Sequence, residues 1–495
     1  MTAEWRGEPP AVYGGLSADS REVESGDLFV AVPGTSFDGH DFLAEAAEAG
    51  ARAALVERPV DDVGLPQLVV SDSRLAVSHL AALFSGDPGQ EMRLVGVTGT
   101  NGKTTTTWLT RHVLSGAAPT GAVGTLGVTD PDGTVRSGGL TTPGPVRLHR
   151  QLRELRDRGA EAAVLEISSH ALDQRRAAAL DLEAGIFTTL SREHLEYHRD
   201  MEDYRRAKLR LAERVRRSGA CLVNADEPSW EDADFAGRRV VRYGFGEGAD
   251  VRAVDVEATP RETRFGLTVR GGERSHPVSL RIPGDYNVSN ALAAAAAGLE
   301  FGLGAGRTAE LLSGAPQAPG RLERLRDEPP VVIRDYAHTP EAMERAIQAV
   351  RRLAEGRLLV VFGAGGERDR GKRPLMGEVA DRLADEAWIT NDNPRSEDPG
   401  RIARDVAEGM TAGEPRIELD RREAIRRAME AAGPGDVVLL LGKGHETELV
   451  IDGERIPFDE AEVVAELSRE MGLAAGSVDD ATAGAGGSEP AGGTP

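Results

Sequence analysis

Short apolar runs bounded by turn residues open the chain. Asp27-Leu-Phe-Val-Ala-Val32 stops at Pro33-Gly34, and Ala53-Ala-Leu-Val56 stops before Pro59, a spacing that predicts strands between turns. Leu68-Val-Val70 leads into an Ala/Leu-rich stretch, Ser73 to Phe84, that predicts a helix. The breaker cluster Ser85-Gly-Asp-Pro-Gly89 marks a first boundary. Continuous apolar runs at 94–98, 162–167 and 184–188 follow, with a helical run over 105–114. Such near-continuous apolar strands separated by helices predict a mostly parallel sheet buried on both faces. Residues 250–282 alternate apolar and polar side chains, predicting an antiparallel flank, and Asn290 to Gly302 reads as an Ala-rich helix. Past a second breaker cluster at 313–320, runs at 331–333, 358–362, 386–390 and 436–441 predict another doubly wound sheet. From Ala474 the chain is Gly/Ala/Ser-rich without periodicity, and disorder is expected.

The length, 495 residues, exceeds one ordinary core. Hydrophobic residues at 40% and charged residues at 28% are globular proportions. A net charge of −22 argues against nucleic acid as a partner. It leaves anionic small substrates open, because a few Arg and Lys residues can dominate a cleft. The single cysteine, Cys221, lies in an apolar run and reads as a buried thiol. One cysteine excludes an intrachain disulfide framework and fits a reducing cytoplasm. No run approaches the roughly 20 apolar residues of a membrane span, and MTAEWRGEPP has no signal-peptide character. A cytoplasmic monomer with no membrane insertion is expected.

The strand at 94–98 runs into Gly99-Thr100-Asn101-Gly102-Lys103-Thr104, which opens the helix containing Thr105. Small residues let backbone N–H groups approach phosphates, and the helix N-terminus adds partial positive charge. Lys103 can reach the β- and γ-phosphates and the Thr104 hydroxyl can bind Mg²⁺. The general phosphate-loop pattern needs glycine where this chain has Val97, so the loop is a shortened variant. The fold class is therefore α/β with three domains: 1–88, a central P-loop-type sheet over 89–318, and a C-terminal Rossmann-like domain over 319–473, with a tail at 474–495.

Ten further segments occur in a telling order: Thr141-Thr-Pro143, Leu165-Glu-Ile-Ser-Ser-His-Ala-Leu172, Ser191-Arg-Glu-His-Leu-Glu-Tyr-His198, Tyr204-Arg-Arg-Ala-Lys208, Gly284-Asp-Tyr-Asn-Val-Ser-Asn290, Pro319-Gly-Arg321, Asp335-Tyr-Ala-His-Thr-Pro340, Gly371-Lys-Arg-Pro-Leu-Met376, Asp392-Asn-Pro-Arg395 and Gly442-Lys-Gly-His-Glu446. With the loop, they resemble the Mur ligases, which build the peptide stem of peptidoglycan. The resemblance spans nearly the whole chain. It is strongest to the members that add meso-2,6-diaminopimelate to a UDP-N-acetylmuramoyl dipeptide. It implies that ATP phosphorylates the acceptor carboxylate and that the incoming amine then expels phosphate from the acyl phosphate, a reaction catalysed by positioning and charge neutralisation.

The resemblance also implies roles. Lys103, Glu166, His194 and Lys208 are the catalytic set; Thr104 and Glu166 belong to one magnesium site, His194 and a carbamylated Lys208 to a second. On sequence alone, Lys208 is a lysine on a charged helix, and such residues are usually solvated. Asn287 and Asn290, one helical turn apart, offer amides to adenine, although N-capping explains Asn287 equally well. Arg321 takes phosphates and Asp335 the ribose hydroxyls. The N-terminal domain takes uridine, with Ser20 at the uracil. Thr141, Thr142, Ser168, Gln174 and Arg176 hold the muramoyl-dipeptide end. Arg368, Asp392, Asn393, Pro394, Arg395, Gly442 and Glu446 take diaminopimelate, whose distal carboxylate suits Arg395 and whose distal ammonium suits Glu446. Two positions depart from the family pattern: Glu193 stands where Asp precedes the histidine, and Thr189 where Asn is common. A lysine-adding ligase, a folylpolyglutamate-synthetase-like ligase and a nucleotide switch are the alternatives; Arg395 and the N-terminal segment speak against the first two, and Glu166, His194 and Lys208 against the third.

Overall fold

A computed structural model describes residues 3–34, 37–136, 140–258, 262–272, 274–282, 284–412 and 415–473, so the expected tail lies outside the described residues. The chain forms two compact units, the first holding most of the chain up to Pro316 and the second the chain from Gln317 onward, with Ile282 and Gly284 grouped with the second.

The first unit carries two sheets. The smaller has the order Ala3–Arg6, Gln67–Val70, Ala53–Val56, Leu28–Val30, Leu16–Ser17, and is parallel except at the Ala3–Arg6 edge. Helix Ser73–Phe84 follows it and starts where Asp72 accepts from the Leu75 N–H at 2.8 Å, an N-cap that satisfies one orphan donor.

The larger sheet holds the elements that matter for chemistry. In chain order these are β1 (Arg93–Thr98), α1 (Lys103–Leu114), β2 (Thr120–Gly124), β3 (Ala162–Glu166), β4 (Leu182–Phe187), α2 (Met201–Arg214), β5 (Val215–Asn224) and α3 (Asp285–Glu300). The spatial order β5-β4-β1-β3-β2 is parallel throughout. All of β2 and β3 is buried, the glycines and Thr120 of β2 and the carboxylate of Glu166 included. The alternating stretch forms the predicted antiparallel flank, Val251–Ala258, Thr263–Val269 and His276–Leu280. β1 sits between β3 and β4, so the glycine loop leaves the sheet centre with the C-terminal ends of both neighbours beside it, where open α/β sheets bind ligands. Cys221 is buried in β5, and burial pushes its thiol up to about 12.

The second unit contains β6 (Val331–Asp335), β7 (Leu358–Phe362), β8 (Glu386–Ile389), α4 (Arg421–Ala431), β9 (Val437–Leu441) and α5 (Glu460–Glu470). Strands β6-β9-β7-β8 are parallel in that order, with apolar clusters on both faces. The chain has the expected α/β class, and its second sheet is doubly wound.

Candidate active site

The glycine loop is shaped by what packs against it. At Gly99, φ is +153° and an added Cβ would lie 1.8 Å from Thr188 Oγ1; at Gly102, φ is +83° and the Cβ would lie 2.5 Å from Asn290 Oδ1. Neither position admits a side chain without displacing its neighbour. The Thr188 hydroxyl, just past β4, donates to the Asn101 carbonyl at 2.7 Å. Thr189, the residue that departs from the family pattern, still holds the loop: its carbonyl accepts from the Thr100 N–H at 2.6 Å and its hydroxyl from the Asn101 N–H at 3.2 Å.

Two lysines converge on the loop. Lys103 Nζ donates to the carbonyls of Gly99 (3.0 Å) and Thr100 (2.8 Å), and Lys208 Nζ donates to the same Gly99 carbonyl at 2.7 Å. Helix α2 delivers Lys208 from a buried face of Tyr204, Ala207, Lys208, Leu211 and Ala212. The expectation of a solvated lysine is thus corrected: Lys208 is 1% exposed and its ammonium lies 4.3 Å from the Tyr204 ring centroid. The apolar spacing 204, 207, 211 carried that signal, but the charged residues between masked it. Burial first, then Lys103, holds the Lys208 amine well below the usual lysine range against the opposing pull of Glu193.

Glu166 ends β3 beside the first turn of α1. Its Oε2 accepts from the Thr104 hydroxyl at 3.1 Å and the Thr125 hydroxyl at 2.9 Å, and its Oε1 accepts from the Thr125 N–H at 3.0 Å. Thr125 was not identified from sequence; it lies outside every motif and reaches the site only because β2 pairs with β3. Thr142 Oγ1 donates to the Glu166 carbonyl at 2.9 Å and accepts from the Ser168 N–H at 3.0 Å, while Thr141 Oγ1 lies 3.1 Å from Thr125 Oγ1. Arg176 donates to Gln174 Oε1 (2.7 Å) and the Thr142 carbonyl (2.8 Å). Thr141, Thr142, Ser168, Gln174 and Arg176 are therefore brought together along one edge of the Glu166 site. Ser20 starts a short helix after β-paired Leu16–Ser17, capped by Asp19.

His194 stands at φ +58°, a left-handed backbone rare for a non-glycine residue. Its carbonyl accepts from the Tyr197 and His198 N–H groups at 3.1 and 2.9 Å, so the turn holds the strained residue in place. Its ring lies 4.8 Å from His170 and 6.1 Å from Tyr204, centroid to centroid, placing His194 and Lys208 against the same buried tyrosine. Burial, with the neighbouring His194, His198 and Arg176, lowers His170 to about 4. Tyr204 also meets the glycine loop, its hydroxyl 3.1 Å from Thr100 Oγ1.

Asn287 and Asn290 lie on one face of α3, with Asn290 Nδ2 donating to Asn287 Oδ1 at 3.1 Å. Helix α3 begins at Asp285, so Asn287 is inside the first turn and the N-cap reading of it is corrected. Asn290 Oδ1 accepts from the Thr106 hydroxyl at 3.1 Å, tying α3 to α1.

In the second unit, Asp335 ends β6 and accepts from the N–H groups of Leu322 (2.8 Å) and Ala337 (2.9 Å); burial raises its carboxyl against the pull of Arg321. The guanidinium of Arg321 stacks 5.0 Å over Tyr336. The loops following β8 and β9 meet where Asn393 Nδ2 donates to Glu446 Oε2 at 2.8 Å, with buried Lys443 Nζ 3.5 Å from the same oxygen. Asp392 packs beside Gly442 at the ends of these strands. Arg395, at φ +55° just after Pro394, donates to the Gly366 carbonyl at 2.6 Å, next to the loop that carries Arg368.

Three family descriptions match in succession: "Mur ligase family, catalytic domain" over residues 12–85, "Mur ligase middle domain" over 97–298 and "Mur ligase, glutamate ligase domain" over 320–444. The chain is 41% identical to the UDP-N-acetylmuramoyl-L-alanyl-D-glutamate–2,6-diaminopimelate ligase of Geobacter metallireducens, covering 92% of this chain and 94% of that one. It is 42% identical to the ligase of the same name from Geobacillus thermodenitrificans, over 94% and 96%. A solved structure of a ligase of that name is similar at a TM-score of 0.65 and 31% identity, over 93% and 96%. With the glycine loop, the paired lysines and the Glu166 site in their observed places, the chain belongs to the Mur ligase family of ATP-dependent, amide-bond-forming enzymes.

Proposed function

We propose that the chain joins meso-2,6-diaminopimelate to UDP-N-acetylmuramoyl-L-alanyl-D-glutamate, with ATP activating the acceptor carboxylate. The observation that carries this reading is the Asn393–Glu446 bond, which unites the two second-unit loops rich in groups for an amino-acid terminus. Arg395 forks onto the distal carboxylate and Glu446 pairs with the distal ammonium. Arg368, Asp392, Pro394 and Gly442 complete that site. Lysine lacks the distal carboxylate and leaves Arg395 without its ligand.

In the first unit, the 99–105 loop takes the phosphates, with Lys103 on the β- and γ-groups. Asn287 and Asn290 take the adenine; of the second-unit residues, Arg321 takes phosphate and Asp335 the ribose hydroxyls. Ser20 serves the uracil; Thr141, Thr142, Ser168, Gln174 and Arg176 serve the muramoyl dipeptide.

The donor set fits magnesium. Thr104 and Glu166 offer adjacent oxygens at a helix N-terminus, the hard ligands this ion prefers. The neutral Lys208 amine favoured by burial is the form that adds carbon dioxide, losing a proton and becoming a carboxylate-like ligand beside His194. Bound magnesium supplies neutralisation of the charge on the transferring phosphoryl group. Lys103 positions that group, and Arg176 orients the acceptor through its anchors on Thr142 and Gln174.

The test is to incubate the protein with the muramoyl-dipeptide nucleotide, ATP, magnesium and either diaminopimelate or lysine, then weigh the product. The tripeptide nucleotide carrying diaminopimelate is expected. A product with lysine alone, or ATP hydrolysis without any amide product, overturns the reading.

A further inference from the structure

The two loops just assigned to the amino acid follow β8 and β9, and these strands are not neighbours, because β7 lies between them. Strand spacing in a sheet is about 4.8 Å, so the loop origins stand roughly two spacings apart. No ladder bond joins β8 to β9 directly; a bridge between Arg395 and Ile451, with the Arg395 N–H donating to the Val450 carbonyl at 3.0 Å, comes only further along, past the loop origins at Asn391 and Leu441.

Arg421, the first residue of α4, reaches both. Its Nη1 donates to the carbonyl of Asn391, immediately before Asp392, at 2.9 Å. Its Nη2 donates to the carbonyl of Leu441, immediately before Gly442, at 2.8 Å. Nε and Nη2 then close on Glu460 Oε1, at the start of α5, at 2.9 and 2.7 Å. Both side chains are fully buried. A planar guanidinium with a fixed fork of donors is suited to holding several acceptors at set positions.

A buried ion pair is an uncertain source of stability, since apolar replacements of similar volume are often neutral or better. What an apolar pair cannot do is bond to two carbonyls across an intervening strand. Ligand ends that pair with Arg395 on one loop and Glu446 on the other need a fixed separation, and small misplacements weaken such binding sharply.

We propose that Arg421, braced by Glu460, is a positioning residue that sets the spacing of the 391–395 and 442–446 loops and thereby the affinity for the amino-acid substrate. This rests on the reading that those loops take diaminopimelate.

The experiment measures steady-state kinetics on the full-length enzyme and two variants. The double substitution Arg421→Met with Glu460→Leu removes both charges. Arg421→Lys keeps the charge but cannot span both carbonyls and the carboxylate, and it carries the same expectation should the double variant not fold. KM for diaminopimelate is expected to rise at least about tenfold, with kcat at saturating amino acid and KM for ATP within about twofold of wild type. Glu460→Gln, which keeps the carbonyl bonds, is expected to hold KM within about threefold. An unchanged KM for diaminopimelate in a folded variant overturns the proposal, as does a loss confined to kcat. Failure of the wild-type enzyme to use diaminopimelate overturns the assignment of the loops instead, so the two failures are distinguishable.

Discussion

Lys208 Nζ donates to the carbonyl oxygen of Gly99 at 2.7 Å across 109 residues of sequence. The bond joins α2 to the loop that opens α1, and Lys103 shares the same carbonyl. Two amines held this close at the sheet centre suit an anionic ligand, and burial keeps one of them from adding full charge before that ligand arrives.

Lys208→Met therefore has two separable effects. Amide formation should fall at least about 100-fold in kcat, the scale for removing a preorganised electrostatic group, read by phosphate release. Stability should move the other way. A folded-state pKa lowered below the unfolded value means the unfolded chain binds more protons between the two, so wild-type stability rises with pH across that window. In bicarbonate-free buffer the Met variant should be the more stable at neutral pH, and its advantage should shrink as pH rises toward the ordinary lysine range. Denaturant midpoints at several pH values check this; an advantage that grows with pH would refute it.

Gly102→Ala places a Cβ 2.5 Å from Asn290 Oδ1 at φ +83°. The left-handed backbone alone costs about 1–2 kcal/mol. Stability should drop by at least that much, and ATP binding should weaken, because Asn290 moves with its neighbour Asn287. Gly304→Ala is the control: φ is −74° with open space around the new methyl, and its effect should stay within about 1 kcal/mol. Equal melting temperatures for the two variants would count against the packing argument.

Arg395→Ala should raise KM for diaminopimelate roughly 10- to 100-fold, the worth of a charge-assisted pair, while leaving KM for ATP near wild type. It should also narrow the preference for diaminopimelate over lysine, since lysine has no distal carboxylate to lose. Competition between the two amino acids at equal concentration reads this directly; an unchanged ratio would remove Arg395 from the specificity site.

The sequence by itself determined the elements whose causes are local. Apolar runs became β1, β3, β7 and β9 within a residue or so of their expected ends, because a strand buried on both faces is near-continuously apolar, with polar residues such as Glu166 at its ends. The glycine loop and the helix after it were equally legible, since backbone conformation at Gly99 and Gly102 is a property of those residues. The motif loops could be ordered along the chain and given expected partners. Tertiary structure alone decided the rest. It buried Lys208 against Tyr204, brought Thr125 onto Glu166, moved Asn287 inside its helix and set Arg421 beneath two loops whose parent strands are not neighbours. These outcomes depend on desolvation and on partners dozens of residues away: the spacing 204, 207, 211 marks a buried helix face, but a lysine bound for the core and one bound for water are the same letter until the sheet closes over one of them.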